Sequence, residues 1–495
     1  MGRWAARERL ARLVGGAGLC LLCAEPDAEA SNDALVRLLQ VLRDRGSISA
    51  QEYEDIRKVA EAPEEQPAGP MPAAPDPPAA VDAARIATVE QRVAAQEKSL
   101  AGLQNTIDGA VPPVVNKALA GKWYERIGLR GYTQFRGSNV LSGDGPPLEV
   151  PADRSVNENE SLVLRRGRMI LSGDATARLS TYGQFDFAGT PGTADFTFQM
   201  RDLYADVWLD RAKLWRVRVG QSKVPFGFVN MQSSQNRAAF ERPEAMNLAV
   251  EAERDFGASL MWNTPAAKQR FRDLGNATMK GSGDYGVLSL GVYSGQGPNR
   301  SDRNGAVHVF GRAAYPFQVT DRQVLELGVQ AYHGRFVSPV QAITVDGVSV
   351  TPVQRPGGAT DERVAVSAIL YPQPFGFETE WTAGRGPALT SDFRRLEADD
   401  LHGGYMQVHY RIKNAAGSWL PFTRWNYYDG ARKFAANAPR MKVNEMDFGV
   451  EFTHWAELEL TGIYTRTFRR TRTSVFPYTD TTDANRVGVQ LQWNY

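Results

Sequence analysis

The sequence predicts an all-β fold: a sixteen-stranded antiparallel transmembrane β-barrel with a short α-helical, coiled-coil-containing extension at its amino terminus. Three observations predict it. Trp215, Val217 and Val219 share one strand face while Arg216, Arg218 and Gly220 share the other, and arginines opposite apolar side chains suit a wall between lipid and a polar lumen. At the carboxyl end Val487, Val489, Leu491, Trp493 and Tyr495 alternate with Arg486, Gly488, Gln490, Gln492 and Asn494, so one face is lipophilic and the other polar. The connections between strand candidates mostly alternate long and short, which expects loops at one rim of a barrel and tight turns at the other.

Length and composition agree with this class. The chain has 495 residues, 42% hydrophobic and 23% charged, and after the first thirty residues no apolar run approaches the ~18 residues of a membrane helix. Aromatics at 10% and 46 glycines suit many short strands with aromatic girdles.

The chain begins with Arg3, Arg7, Arg9 and Arg12, an apolar stretch from Leu13 to Ala24 and a small-x-small site at Ala28-Glu29-Ala30. Residues 1–30 therefore read as a secretory signal peptide. Cys20 and Cys23 both lie inside it, so cleavage is expected to leave neither a disulfide nor a thiolate metal site. In residues 31–61 Leu35, Leu38, Leu39 and Leu42 form a stripe, Gly46 breaks it, and Ser49 to Glu52 has capping-box spacing, which predicts a helical hairpin. Residues 62–80 are a proline- and alanine-rich linker. In residues 81–115 Ile86, Val89, Val93, Gln96, Leu100, Leu103 and Ile107 step by three and four, which predicts a coiled coil. Pro112 and Pro113 end it.

Residues 122–495 are expected to form the barrel. The strand candidates begin at Ile127, Leu162, Arg178, Thr197, Leu214, Asp255, Gly286, Ala306, Val324, Arg363, Phe375, Tyr405, Trp419, Val443, Leu458 and Arg486. Residues 137–161, 337–362 and 386–404 read as long loops, whereas 173–177, 372–374 and 414–418 read as short turns. Residues 264–285 break the alternation, being too long for a tight turn. After the fifth strand, Pro225 and Gly227 end the ladder and open a long polar loop.

Three separated segments carry a family resemblance: LRRGRMILSGDATARLSTYGQFDFAG from Leu164, DLYADVWLD from Asp202 and RVRVGQSKVPFGF from Arg216. They resemble the phosphate-selective porins O and P of Gram-negative outer membranes. The resemblance implies trimeric sixteen-stranded barrels in which the loop after the fifth strand folds into the pore. It also implies outer-membrane lipid as surroundings, phosphate or polyphosphate as the permeant anion, and recognition of the last strand, ending at Tyr495, by the barrel-assembly machinery. The amino-terminal extension would then lie in the periplasm.

Residues 122–495 carry 44 basic and 39 acidic side chains, an excess that leans toward small anions. By alternation, the inward cations are Arg166 and Arg168 on the second strand and Arg216 and Arg218 on the fifth, with Lys223, Arg237 and Arg242 on the loop that follows. A guanidinium fork matches two phosphate oxygens, while lysine acts as a compact charge. The competing reading is that these cations only brace the wall against carboxylates such as Glu241, Glu244, Glu251 and Glu253. A general or carbohydrate-type diffusion porin is the alternative function, and an envelope tether a further one. No catalytic residue, metal, cofactor or nucleic-acid partner is expected. His308, His333, His402, His409 and His454 show no metal-ligand spacing, and G-x-S-x-G is absent.

Overall fold

The computed structural model describes residues 123–153, 155–156, 162–189 and 196–495. The signal peptide, helical hairpin, linker and coiled coil expected from the sequence lie outside the described residues. Sixteen long strands run in chain order: β1 Ile127–Asp144, β2 Val163–Thr176, β3 Leu179–Gly189, β4 Phe196–Trp208, β5 Trp215–Lys223, β6 Arg254–Trp262, β7 Leu288–Tyr293 and β8 His308–Gln318. They continue as β9 Val324–Phe336, β10 Ala359–Leu370, β11 Phe375–Leu389, β12 Arg395–Tyr410, β13 Gly417–Ala431, β14 Arg440–Trp455, β15 Leu458–Arg472 and β16 Thr479–Asn494. Two short pieces, Val353–Gln354 and Ile412–Asn414, complete the eighteen segments of the sheet. Each long strand pairs antiparallel with its sequence neighbour. The sheet closes where Tyr132 of β1 meets Asn494 of β16 and Asp144 meets Asp483.

The wall is inverted relative to a soluble protein. Phe187, Phe256, Leu290, Val309, Val364, Phe448, Leu460, Val489 and Trp493 are exposed on the outside, whereas Gln134, Arg168, Arg218, Gln330, Asp447 and Gln492 are buried inside. Apolar outside and polar inside is the pattern lipid imposes. Among the described residues no helix is long and apolar enough to cross a membrane.

Every strand candidate of the sequence corresponds to one observed strand, but the long-loop rim differs. Residues 386–404 form a hairpin whose strands run to Leu389 and from Arg395, and β1 extends to Asp144. These ends keep their ladder bonds above the lipid band, where no apolar alternation is needed and none is written in the sequence.

Two of the fully described connections fold inward. Residues 224–253 (loop L3) enter the barrel at Gly227, whose φ of 85° puts it in the left-handed region. Phe226, Val229, Met246 and Val250 pack on Tyr293, Phe310, Tyr332 and Tyr405, and Phe228 packs with Met279, Val324 and Tyr371. Further along, Phe240 meets Leu420, Phe422 and Ile463, while Leu248 meets Leu401, Tyr428 and Val443. Each such buried side chain contributes about 2 kcal/mol, so L3 is glued to the β7–β15 side of the wall. Glu380 adds a polar anchor by accepting from the backbone amides of Phe228 at 2.5 Å and Val229 at 2.9 Å.

The second is the over-long connection between β6 and β7. It begins as a helix, Pro265–Asn276, with Thr264 Oγ1 accepting from the Ala267 amide as N-cap. It then crosses the short-turn mouth. Lys280 reaches Glu451 at 2.7 Å and Glu459 at 2.9 Å on β14 and β15, and Gln232 of L3 donates to the Lys280 carbonyl.

Candidate functional site

Because its apolar side is committed to β7–β15, L3 leaves open space along β1–β5. A cavity of about 280 Å³ lies on the long-loop side, and another of about 270 Å³ lies on the short-turn side, bounded by residues 281–285. The first is lined by Arg165, Arg166, Arg168, Arg201, Arg242 and Arg432, against the carboxylates Asp186, Glu241, Glu251 and Glu253. The second is lined by Arg130, Arg218, Lys223 and Arg254, against Asp202 and Asp284. Cations outnumber anions in both.

Five of the seven sequence-predicted site residues line these cavities. Arg166 donates from Nη2 to both oxygens of Glu241, at 2.8 and 2.7 Å, and from Nη1 to Gln134. Arg168 donates to Asp186, Tyr132 and Ser234. Arg242 donates to Asn230 and Asn247 and pairs with Glu253 at 3.1 Å. Arg218 is bidentate on Asp206, at 2.8 and 2.9 Å, and lies 3.8 Å over the Tyr204 ring. Lys223 donates to the carbonyls of Asn230, Met231 and Gln232 and pairs with Glu253 at 3.1 Å, so it also braces the loop. Arg216 and Arg237 line neither cavity. Arg216 sits near the short turns beside Asp206 and Asp284, both at 3.8 Å, and Arg237 is tied to Glu253 and the Val229 carbonyl.

Two cavity arginines were invisible to alternation, and both sit at β-bulges. In β2 the register jumps from Arg166 opposite Gln134 to Leu164 opposite Phe135, leaving Arg165 as the extra residue. In β4 it jumps from Asp202 opposite Gln184 to Met200 opposite Phe185, leaving Arg201. A bulge re-aims a side chain that strict alternation would send outward. Arg165 reaches Glu241 at 2.8 Å, and Arg201 donates to the Ala252 carbonyl at 3.2 Å and to Gln199 at 3.5 Å.

The ionisation of the loop groups follows their surroundings. Burial pushes the Glu241 carboxyl up, but Arg165, Arg166 and Arg136 outweigh it and hold the pKa at about 2. Glu253 is likewise held well below its ordinary range against burial, chiefly by Arg237, Lys223 and Arg242. Burial lowers Arg242 to about 10, which leaves it cationic at neutral pH. Among the described residues no group of histidine, cysteine, aspartate and glutamate is arranged to hold a metal ion.

Residues 147–495 match the family described as phosphate-selective porin O and P. The chain belongs to this family. It is an outer-membrane porin. No curated protein sequence matches this porin. Among solved structures it is similar to a loop L8 deletion mutant of OmpT from Vibrio cholerae, at 9% identity over 74% of this chain and 99% of that one, with a TM-score of 0.46. It is also similar to Salmonella typhi OmpF in complex with daunomycin, at 12% identity over 74% and 97% of the two chains, with a TM-score of 0.46. A third is an anion-selective porin from Comamonas acidovorans, at 12% identity over 74% and 99%, with a TM-score of 0.40.

Proposed function

We propose that this porin mediates passive diffusion of small anions along the β1–β5 side of its lumen, with phosphate or polyphosphate as the permeant solutes the family implies. The observation that carries the reading is the cation excess in both cavities flanking L3. A series of guanidiniums, most of them partly satisfied by fixed carboxylates, attracts an anion at every step without trapping it. In this reading the long-loop rim faces outward and the short turns face the periplasm. Residues 31 to about 115 extend into the periplasm after cleavage of the signal peptide, three copies assemble with the coiled coil supporting the trimer, and the strand ending at Tyr495 is read by the assembly machinery. The test is the reversal potential of one reconstituted channel in a KCl gradient, repeated as phosphate is added. Anion preference with block by phosphate is expected. Anion preference without block would make this a general anion pore, and cation preference would overturn the proposal.

A further inference from the structure

The outward face of the β13–β16 wall carries a pair of like charges above the lipid band. Lys442 of β14 and Arg470 of β15 are direct cross-strand partners. Like charges directly opposed on one face of an antiparallel pair destabilise it. Among the described residues no carboxylate pairs with Arg470, whose guanidinium lies 5.3 Å over the Phe468 ring. Lys442 is 47% exposed and lies 3.7 Å from Asp429, whose other oxygen already accepts from Arg440 Nε and Nη2 at 3.1 and 2.8 Å. Toward the membrane, just inside the edge of the lipid band, Arg466 and Asp483 pair at 2.5 Å and cancel each other. At the level of Lys442 and Arg470, Asp429 is thus shared between Lys442 and Arg440 while Arg470 has no carboxylate among the described residues, which leaves a net positive charge.

That level is set by the belt beneath it. The outward side chains of β15 run Leu458, Leu460, Gly462, Tyr464, Arg466, Phe468 and Arg470. The ten steps from Leu458 to Phe468, at ~3.3 Å each and tilted by ~40°, span the ~25 Å apolar band. Tyr427, beside Asn444 and 5.5 Å from the Lys442 ammonium, marks the same edge on the neighbouring strands. Arg470 and Lys442 thus stand in the headgroup layer at the long-loop rim.

We propose that Lys442 and Arg470 form a binding site for the phosphate of an anionic lipid headgroup. The guanidinium fork takes two phosphate oxygens and the ammonium a third, and the bound anion removes the repulsion between the two cations. The site lies outside the lumen and does not depend on the permeant ion.

The test incubates purified full-length protein in mild detergent with bisphosphorylated lipid A or its phosphate-free counterpart and counts bound lipid by native mass spectrometry. The wild type should retain the phosphorylated lipid at least about tenfold more than K442Q/R470Q. R470K, which keeps the charge, should retain most of the binding, and R470Q should unfold at no lower temperature than wild type when lipid is absent. Equal retention by wild type and the double variant, equal retention of the two lipids, or displacement by millimolar inorganic phosphate would overturn the lipid assignment.

Discussion

Two stretches of the barrel wall carry arginines at similar density but in opposite circumstances. Along β1–β5 the space beside L3 is open, and cations outnumber carboxylates there. Along β13–β16 the cavity among the charges holds only about 10 Å³ and the charges interlock. Arg424 pairs with Asp447 at 2.7 Å, Arg469 with Glu244 at 3.0 Å and Glu445 at 2.8 Å, and Arg486 with Asp153 at 2.8 Å. Arg136 joins them from β1, bridging Asp153 and Glu241 at 2.8 Å each. Wall carboxylates Asp447 and Glu445 make part of this difference, and the inserted loops add the rest. Glu244 and Asp153 are delivered to the β13–β16 side together with the apolar residues of L3, and the opposite side keeps its free space and its surplus charge. Whether an arginine is locked in a dense network or left beside open space thus depends on which wall and loop carboxylates face it.

The largest way to break this contrast is to remove the loop. Deleting Asn230 to Ala249 takes away the apolar residues that commit L3 to β7–β15, and single-channel conductance should rise by at least about twofold. Unchanged conductance would place L3 outside the permeation path.

A single substitution should then weaken the seam between the two stretches. Glu241 touches Arg136, Arg165 and Arg166 at once, and Glu241→Gln leaves three buried cations short of a partner. A loss of about 3 kcal/mol is expected, read as a lower temperature for heat-modified migration on gels. The pH dependence sharpens it. The folded pKa of Glu241, about 2, lies below its ordinary value of 4.5, so its contribution is complete above pH ~4.5 and is lost as pH falls toward ~2. The gap between wild type and E241Q should be constant at neutral pH and close on acidification.

A smaller effect tests the conducting side alone. Arg201→Gln removes a bulge cation that donates to a backbone carbonyl and a side-chain amide oxygen. It should lower the anion-to-cation permeability ratio by about twofold with little change in unfolding temperature.

The sequence made the barrel legible because lipid on one side and water on the other write a period of two into each strand, as Val487 to Tyr495 shows most plainly. The same rule placed Arg166, Arg168, Arg216 and Arg218 inward. It failed at Arg165 and Arg201 because a bulge adds one residue to one strand, and nothing in the run LRRGR or QMRDL announces which residue will be the extra one. It also missed that inward positions such as Tyr332, Phe422 and Ile463 are apolar for a reason. They face L3 rather than water, a tertiary contact that period alone does not reveal. The length of residues 264–285 did signal something other than a tight turn, and the capped helix with its Lys280 crossing is what that length encodes.

The central claim, that ions pass along β1–β5 and not along β13–β16, is most directly tested by thiol accessibility. The native cysteines, Cys20 and Cys23, both lie near the amino terminus, so one cysteine can be introduced at Gln199, which lines the long-loop-side cavity, or at Thr467, which is 1% exposed on the β15 wall. A negatively charged methanethiosulfonate reagent added during single-channel recording should rapidly lower the current through Q199C and leave T467C unchanged. Equal modification of both, or current loss only in T467C, would contradict the account.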